Sequence, residues 1–142
     1  MGIRQQLKGK RAYFDTNVFI YLIEGFAAFK TSLHEIRESI LHQEAEIFTS
    51  ELTLCEVLVV PFRNDKSDLV LTYRQFIGES GGFQLVPTSR ETYMRASLMR
   101  AKVGLKLPDA IHVASAVEAG CAIFVSNDAG LRLPIGIERA SL

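Results

Sequence analysis

The chain has 142 residues, 48% of them hydrophobic and 23% charged, the composition of an ordinary globular protein, which argues against disorder. Sixteen Lys and Arg balance sixteen Asp and Glu, so net charge does not mark a nucleic-acid binder, and any such role must come from how charge is distributed. No apolar run is long enough to span a bilayer, since the best stretch, Val18–Phe29, is broken by Glu24 and Gly25.

The start, MGIRQQLKGKR, is basic, but Asp15 and Asn17 follow before any apolar core forms, which argues against a signal peptide. Gln6 stands where a myristoylation signal needs Ser or Thr. The expectation is one domain over residues 1–142 of a cytoplasmic protein that does not bind membranes. Cys55 and Cys121 both have apolar neighbours and read as two reduced core thiols, not as a disulfide or a zinc site.

Arg11–Asp15 (RAYFD) is a short apolar run that suits a central strand ending in an acid. Thr16 and Asn17 can cap a very apolar helix through Val18–Ile23 that ends near Gly25, and a second helix is predicted from Ala27 to His42. Glu46–Thr49 reads as strand two, followed by a helix opened by Ser50 or Thr53 that carries Glu56 and stops near Pro61. A helix capped by Ser67 or Asp68 runs to Ile77, Gly78–Gly82 is a turn, and Phe83–Val86 is strand three. Thr88 and Glu91 have capping-box spacing before a helix through Met94, Leu98 and Ala101 that ends at Gly104. Leu107–Val117 places Asp109 directly after a proline, with Ala110, Val113, Ala114 and Val117 on one helical face. Gly120 stops that helix, Cys121–Val125 reads as a buried strand, and Ile137–Arg139 as a last edge strand. Strands separated by helices imply an α/β fold, a mainly parallel sheet sandwiched between helices.

Ligands of such sheets bind beyond the carboxyl ends of the strands. Asp15 and Asp128 follow strands at that edge, while Glu56 and Asp109 sit near the starts of helices that can point at it. Each acid has an innocent role: Asp15 as a helix cap, Glu56 in a capping box with Thr53, Asp109 in a first helical turn, Asp128 in a turn. Together, four carboxylates at one edge, without His or Cys ligands, make a hard oxygen site suited to Mg²⁺ or Mn²⁺. That chemistry serves phosphodiester hydrolysis, with Asp15 and Asp109 as first ligands, Glu56 and Asp128 completing the shell, and Asn17 and Ser126 as polar supports. His34 and His42 read as solvated; His112, three residues after Asp109, reads as a packed or surface residue grazing the pocket. Arg90, Arg95, Arg100, Lys102 and Lys106 cluster upstream of Asp109, and Lys8, Lys10 and Arg11 precede strand one; those flanking the pocket would contact phosphates.

FDTNVFIYLIEG (Phe14–Gly25), SELTLCEVL (Ser50–Leu58), LPDAIHVASA (Leu107–Ala116) and VSNDAGL (Val125–Leu131) resemble the four signature blocks of PIN domains, and more narrowly those of VapC-type toxins. The resemblance implies a three-layer α/β/α sandwich and a Mg²⁺/Mn²⁺-dependent endoribonuclease with Asp15, Glu56, Asp109 and Asp128 as its acidic cluster. It also implies a homodimer and a small antitoxin partner, with RNA as substrate. Ser126 stands where Thr is commoner and Leu131 where Phe is often found; neither is a ligand. Related domains also serve in housekeeping RNA processing. Two further readings are a phosphotransferase with Asp15 as nucleophile, weakened by Asn17 where a second Asp is wanted, and a non-catalytic RNA- or protein-binding module.

Overall fold

The strand β1 (Arg11–Phe14) sends Ala12 and Phe14 to one side of the sheet and Tyr13 to the other, and all three are fully buried. Burial of successive residues requires cover on both faces, as in a parallel sheet. A computed structural model describes residues 1–79 and 82–142, and in it β1 lies at the centre of a five-stranded parallel sheet. Its neighbours are β2 (Glu46–Ser50) and β4 (Ile123–Val125); β3 (Phe83–Val86) and β5 (Glu138–Ala140) are the edges, giving the order β3-β2-β1-β4-β5.

Seven helices are found among the described residues: α1 (Ile3–Leu7), α2 (Thr16–Glu24), α3 (Lys30–Leu41), α4 (Glu51–Arg63), α5 (Ser67–Arg74), α6 (Arg90–Val103) and α7 (Leu107–Glu118). Ala12, Phe14, Ile47, Ile123 and Val125 pack against α1 to α5 through Leu7, Phe19, Ile36, Val57 and Tyr73. Tyr13, Phe48 and Phe124 face the other way, onto Val113 and Ala116 of α7. The result is the three-layer α/β/α sandwich expected from the alternation of strands and helices. Ala96 of α6 and Ala110 and Ala114 of α7 form a small-residue contact that lets these two helices approach closely. Instead of one apolar stripe, α7 is buried at every position from Ala110 to Ala116.

Several local expectations shift. Asp15, not Thr16 or Asn17, is the N-cap of α2. A 3-10 turn at Ala27–Phe29 precedes α3, which therefore starts at Lys30. Thr53 caps nothing: it is buried, with Oγ1 2.6 Å from Thr49 Oγ1, and α4 continues past Pro61 to Arg63. Regular α-helix in α5 ends at Arg74, and Gln75–Glu79 forms a wider, kinked turn. The capping box lies at Ser89 and Thr92, one residue beyond the expected pair Thr88 and Glu91. The last strand begins at Glu138. Cys121 is buried and its thiol pKa is pushed up to about 12 by that burial, whereas Cys55 is exposed, on the outer side of α4. The turn expected at Gly78–Gly82 includes Ser80 and Gly81, which lie outside the described residues. No helix among the described residues is long and apolar enough to cross a membrane.

Candidate functional site

Because β1 and β4 are parallel neighbours, their carboxyl ends bring Asp15 and Ser126 side by side. Ser126 Oγ donates to Asp15 Oδ2 at 3.0 Å and accepts from the Asp128 backbone N–H at 3.1 Å. Asp15 Oδ1 accepts the Thr16 N–H at 2.8 Å, so this residue is at once a helix cap and a member of the edge cluster. Asp128 likewise keeps part of its turn role, with Oδ1 accepting from Gly130 N–H at 2.9 Å. Leu142 N–H donates to Asn127 Oδ1 at 2.7 Å and ties the loop after β4 to the end of the chain.

Glu56 lies in the second turn of α4 and is not a capping residue. Its Oε1 accepts from Thr16 Oγ1 at 2.7 Å and lies 2.6 Å from His112 Nε2. The hydrogen bond with His112, helped by Thr16, holds the Glu56 carboxyl below its ordinary pKa in spite of partial burial. Behind it, His112 Nδ1 is 2.6 Å from Tyr13 Oη, which is 2.9 Å from Ser50 Oγ. Tyr13 is wholly buried, and burial raises its phenol pKa far above normal.

Asp109 is in the first turn of α7, after Pro108. Its carboxyl pKa is raised, first by burial and then by the negative charges of Asp15 and Asp128, against weaker opposition from His112 and Lys106. Asp15, Asp109 and Asp128 therefore share one electrostatic field at the carboxyl edge of the sheet. Asp15, Asn17, Tyr21, Ser126 and Asp128 line a cavity of about 260 Å³, and Asp109 and Asp128 line a second of about 480 Å³ together with Lys106 and Arg132. A larger hollow, about 610 Å³, opens at the opposite edge, where Arg11 and Glu46 are already paired, as are Glu44 and Arg4. The hard oxygen donors and the incompletely compensated negative charge at Asp109 suit a divalent cation. Among the described residues, no three acid, imidazole or thiolate groups are posed close enough to enclose an ion. Asp15, Asp109 and Asp128 line the two cavities, whereas Glu56 lines neither and is held instead by His112 and Thr16.

The family model for the PIN domain matches residues 12–133, nearly the whole chain. The chain belongs to the PIN domain family. Solved structures share the fold. A toxin–antitoxin complex from Klebsiella pneumoniae matches with a TM-score of 0.66 at 24% identity, over 89% of this chain and 95% of that one. VapBC2 from Rickettsia felis, bound to a DNA fragment from its promoter, gives 0.71 at 14% identity over 92% and 98%. VapC20 of Mycobacterium tuberculosis, a toxin that cleaves the sarcin–ricin loop, gives 0.64 at 13% identity over 82% and 91%. A search of curated proteins by sequence found no match.

In this PIN domain the basic residues divide by edge. Lys10 and Arg11 lie at the amino end of β1, away from the acids, and Arg11 stacks over Phe48 and donates to the Ala119 carbonyl. Lys106 reaches the acid side, joined there by Arg132, which the sequence did not single out. Arg100 is turned to the Leu105 carbonyl, and Arg95 lies 3.9 Å from Glu118. Three residues outside the expected set belong to the site's support: Thr16, His112 and Tyr13. His112 carried a signal in its spacing, since i and i+3 share a helix face with Asp109. Tyr13 carried none beyond its place in an apolar strand.

Proposed function

We propose that this PIN domain, acting as a single unit over residues 1–142, is a divalent-metal-dependent endoribonuclease, the toxin of a VapBC-type pair. The observation that carries this reading is the convergence of Asp15, Asp109 and Asp128 at one edge, where burial first and then the charge of the other two push the Asp109 carboxyl up. Asp15, Glu56, Asp109 and Asp128 would hold Mg²⁺ or Mn²⁺. When bound, the ion supplies charge to stabilise a phosphodiester under attack and lowers the pKa of a water.

The chain's own groups do the rest. Ser126 fixes the orientation of Asp15 by its bond to Oδ2. Asn17, exposed on the rim of the smaller cavity, offers an amide N–H₂ to a phosphate oxygen. Lys106 and Arg132 give the larger cavity the positive rim that an RNA backbone requires. Hydrolysis forms one bond from water oxygen to phosphorus and breaks one bridging P–O bond.

The likeness to toxin–antitoxin complexes supports an antitoxin as partner; a homodimeric assembly and a cytoplasmic setting belong to the same proposal. Wild-type protein with Mn²⁺ should cleave RNA, and Asp15→Asn and Asp109→Asn should abolish cleavage while circular dichroism stays unchanged. Full activity in either variant refutes the assignment. One observation favours a second reading, a binding module without turnover: no three ligand groups close on an ion as posed. Calorimetric uptake of Mn²⁺ without hydrolysis of any RNA offered would select it.

A further inference from the structure

We propose that His112 is a positioning residue for Glu56, pinning one carboxylate oxygen so that the other is left free to take a divalent cation. The inference rests on the reading of the four acids as a divalent-cation site.

Both donors converge on the same atom. His112 Nε2 is 2.6 Å and Thr16 Oγ1 2.7 Å from Glu56 Oε1, and the two donors are 3.2 Å from each other. Oε2 has no protein partner among the described residues, and the Glu56 side chain is 33% exposed. One oxygen is thus tied inward and the other left open. His112 itself is 2% exposed and is held from behind by Tyr13 Oη at 2.6 Å from Nδ1, with the rings edge to face at 5.7 Å.

The proton arrangement follows from these partners. An ionised Glu56 carboxylate can only accept, so the imidazole presents Nε2–H to Oε1, with Nδ1 turned to Tyr13 Oη. The anchors, β1 and the start of α4, are rigid elements, so the imidazole has one orientation. A buried imidazole needs a hydrogen-bond partner in any role, but here the Thr16 hydroxyl is directed at the same carboxylate oxygen, so that one oxygen is held twice and the other not at all. Supporting hydrogen bonds of this kind orient metal ligands in other sites.

The test uses the full chain and Mn²⁺ alone as probe, by titration calorimetry, with RNA cleavage at saturating Mn²⁺ as a second readout. His112→Ala should weaken Mn²⁺ binding by about tenfold. His112→Gln, which keeps an N–H donor at similar reach, should restore most of it. On a Glu56→Gln background, His112→Ala should cause no further loss, because the oxygen it positions no longer binds the ion. Thr16→Val removes the second donor without disturbing the buried ring, and its effect should likewise vanish on the Glu56→Gln background. Thr16→Val also carries the test should His112→Ala fail to fold. Equal losses with and without Glu56, failure of His112→Gln to rescue, or unaltered Mn²⁺ affinity in His112→Ala would each overturn the proposal. Absence of Mn²⁺ uptake by the wild type is a separate outcome, visible before any variant is made, and overturns the metal reading together with this one.

Discussion

His112 Nε2 and Glu56 Oε1 lie 2.6 Å apart across 56 positions of chain, which couples α7 to α4 at the carboxyl edge of the sheet. Neither residue type predicts the other in sequence. Their contact exists because both helices pack beside the end of β2 and direct polar groups at one spot.

That contact has a consequence for acid stability. The Glu56 carboxyl titrates below its ordinary value of 4.5 in the folded chain, chiefly through His112. A carboxyl depressed by folding contributes stability that is present above its unfolded pKa and is lost as pH falls through its folded pKa. Urea unfolding midpoints should therefore drop as pH falls from about 4.5 toward the lower folded value, and Glu56→Gln should flatten the curve in that window. An identical pH curve in the variant would contradict this.

Asp109 carries the opposite sign. Its folded pKa is raised above 3.8 by burial and by Asp15 and Asp128. The ionised group therefore opposes folding, increasingly so as pH rises from the unfolded to the folded value, and fully above both. In metal-free protein at neutral pH, Asp109→Asn should raise stability slightly, solvent screening keeping the gain small. The gain should disappear at pH below both values. Thermal melts in chelator check both statements, and saturating Mn²⁺ should reverse the ranking, since only the wild type gains from binding.

Tyr13→Phe removes the hydroxyl that meets both His112 Nδ1 and Ser50 Oγ in a fully buried setting. Leaving these partners unsatisfied should cost about 1–3 kcal/mol in denaturant titrations. A loss confined to a few tenths would mean that water enters behind β1.

Ala114→Leu tests the small-residue contact between α6 and α7. Ala96, Ala110 and Ala114 are buried together there, and a leucine must push the helices apart. The expected loss is about 1–3 kcal/mol of stability, read from urea unfolding.

Legibility differed by element. The strand cores, the apolar α2 and the proline start of α7 were plain because burial on both faces leaves near-continuous apolar runs bounded by turn residues. Asp15 and Asp128 could be placed at one edge because a parallel sheet sends every strand's carboxyl end the same way, and Asp109 because the start of α7 can point at that edge. The innocent roles expected of two of them are present: Asp15 caps α2, and Asp128 closes a turn. The capping box slipped by one because Thr88 with Glu91 and Ser89 with Thr92 have identical spacing, and only the entry angle from β3 chooses between them. Cys55 read as buried from its apolar neighbours, yet the helical repeat turns it outward while Val57 faces in. The Tyr13–His112–Glu56 network was hidden because it joins one strand and two helices through side chains whose neighbours in sequence are apolar.

The burial of α7 on all sides from Ala110 to Ala116 bears on how this molecule can diversify. A helix without a solvent-facing stripe has no vacant side on which to accept a larger or charged substituent, so the segment bearing Asp109 and His112 is closed to gradual drift. Novelty in what is recognised must enter elsewhere, at the rim positions around Asn17, Lys106 and Arg132, where new side chains displace only water. An engineer seeking altered recognition should randomise those margins and leave the keel untouched.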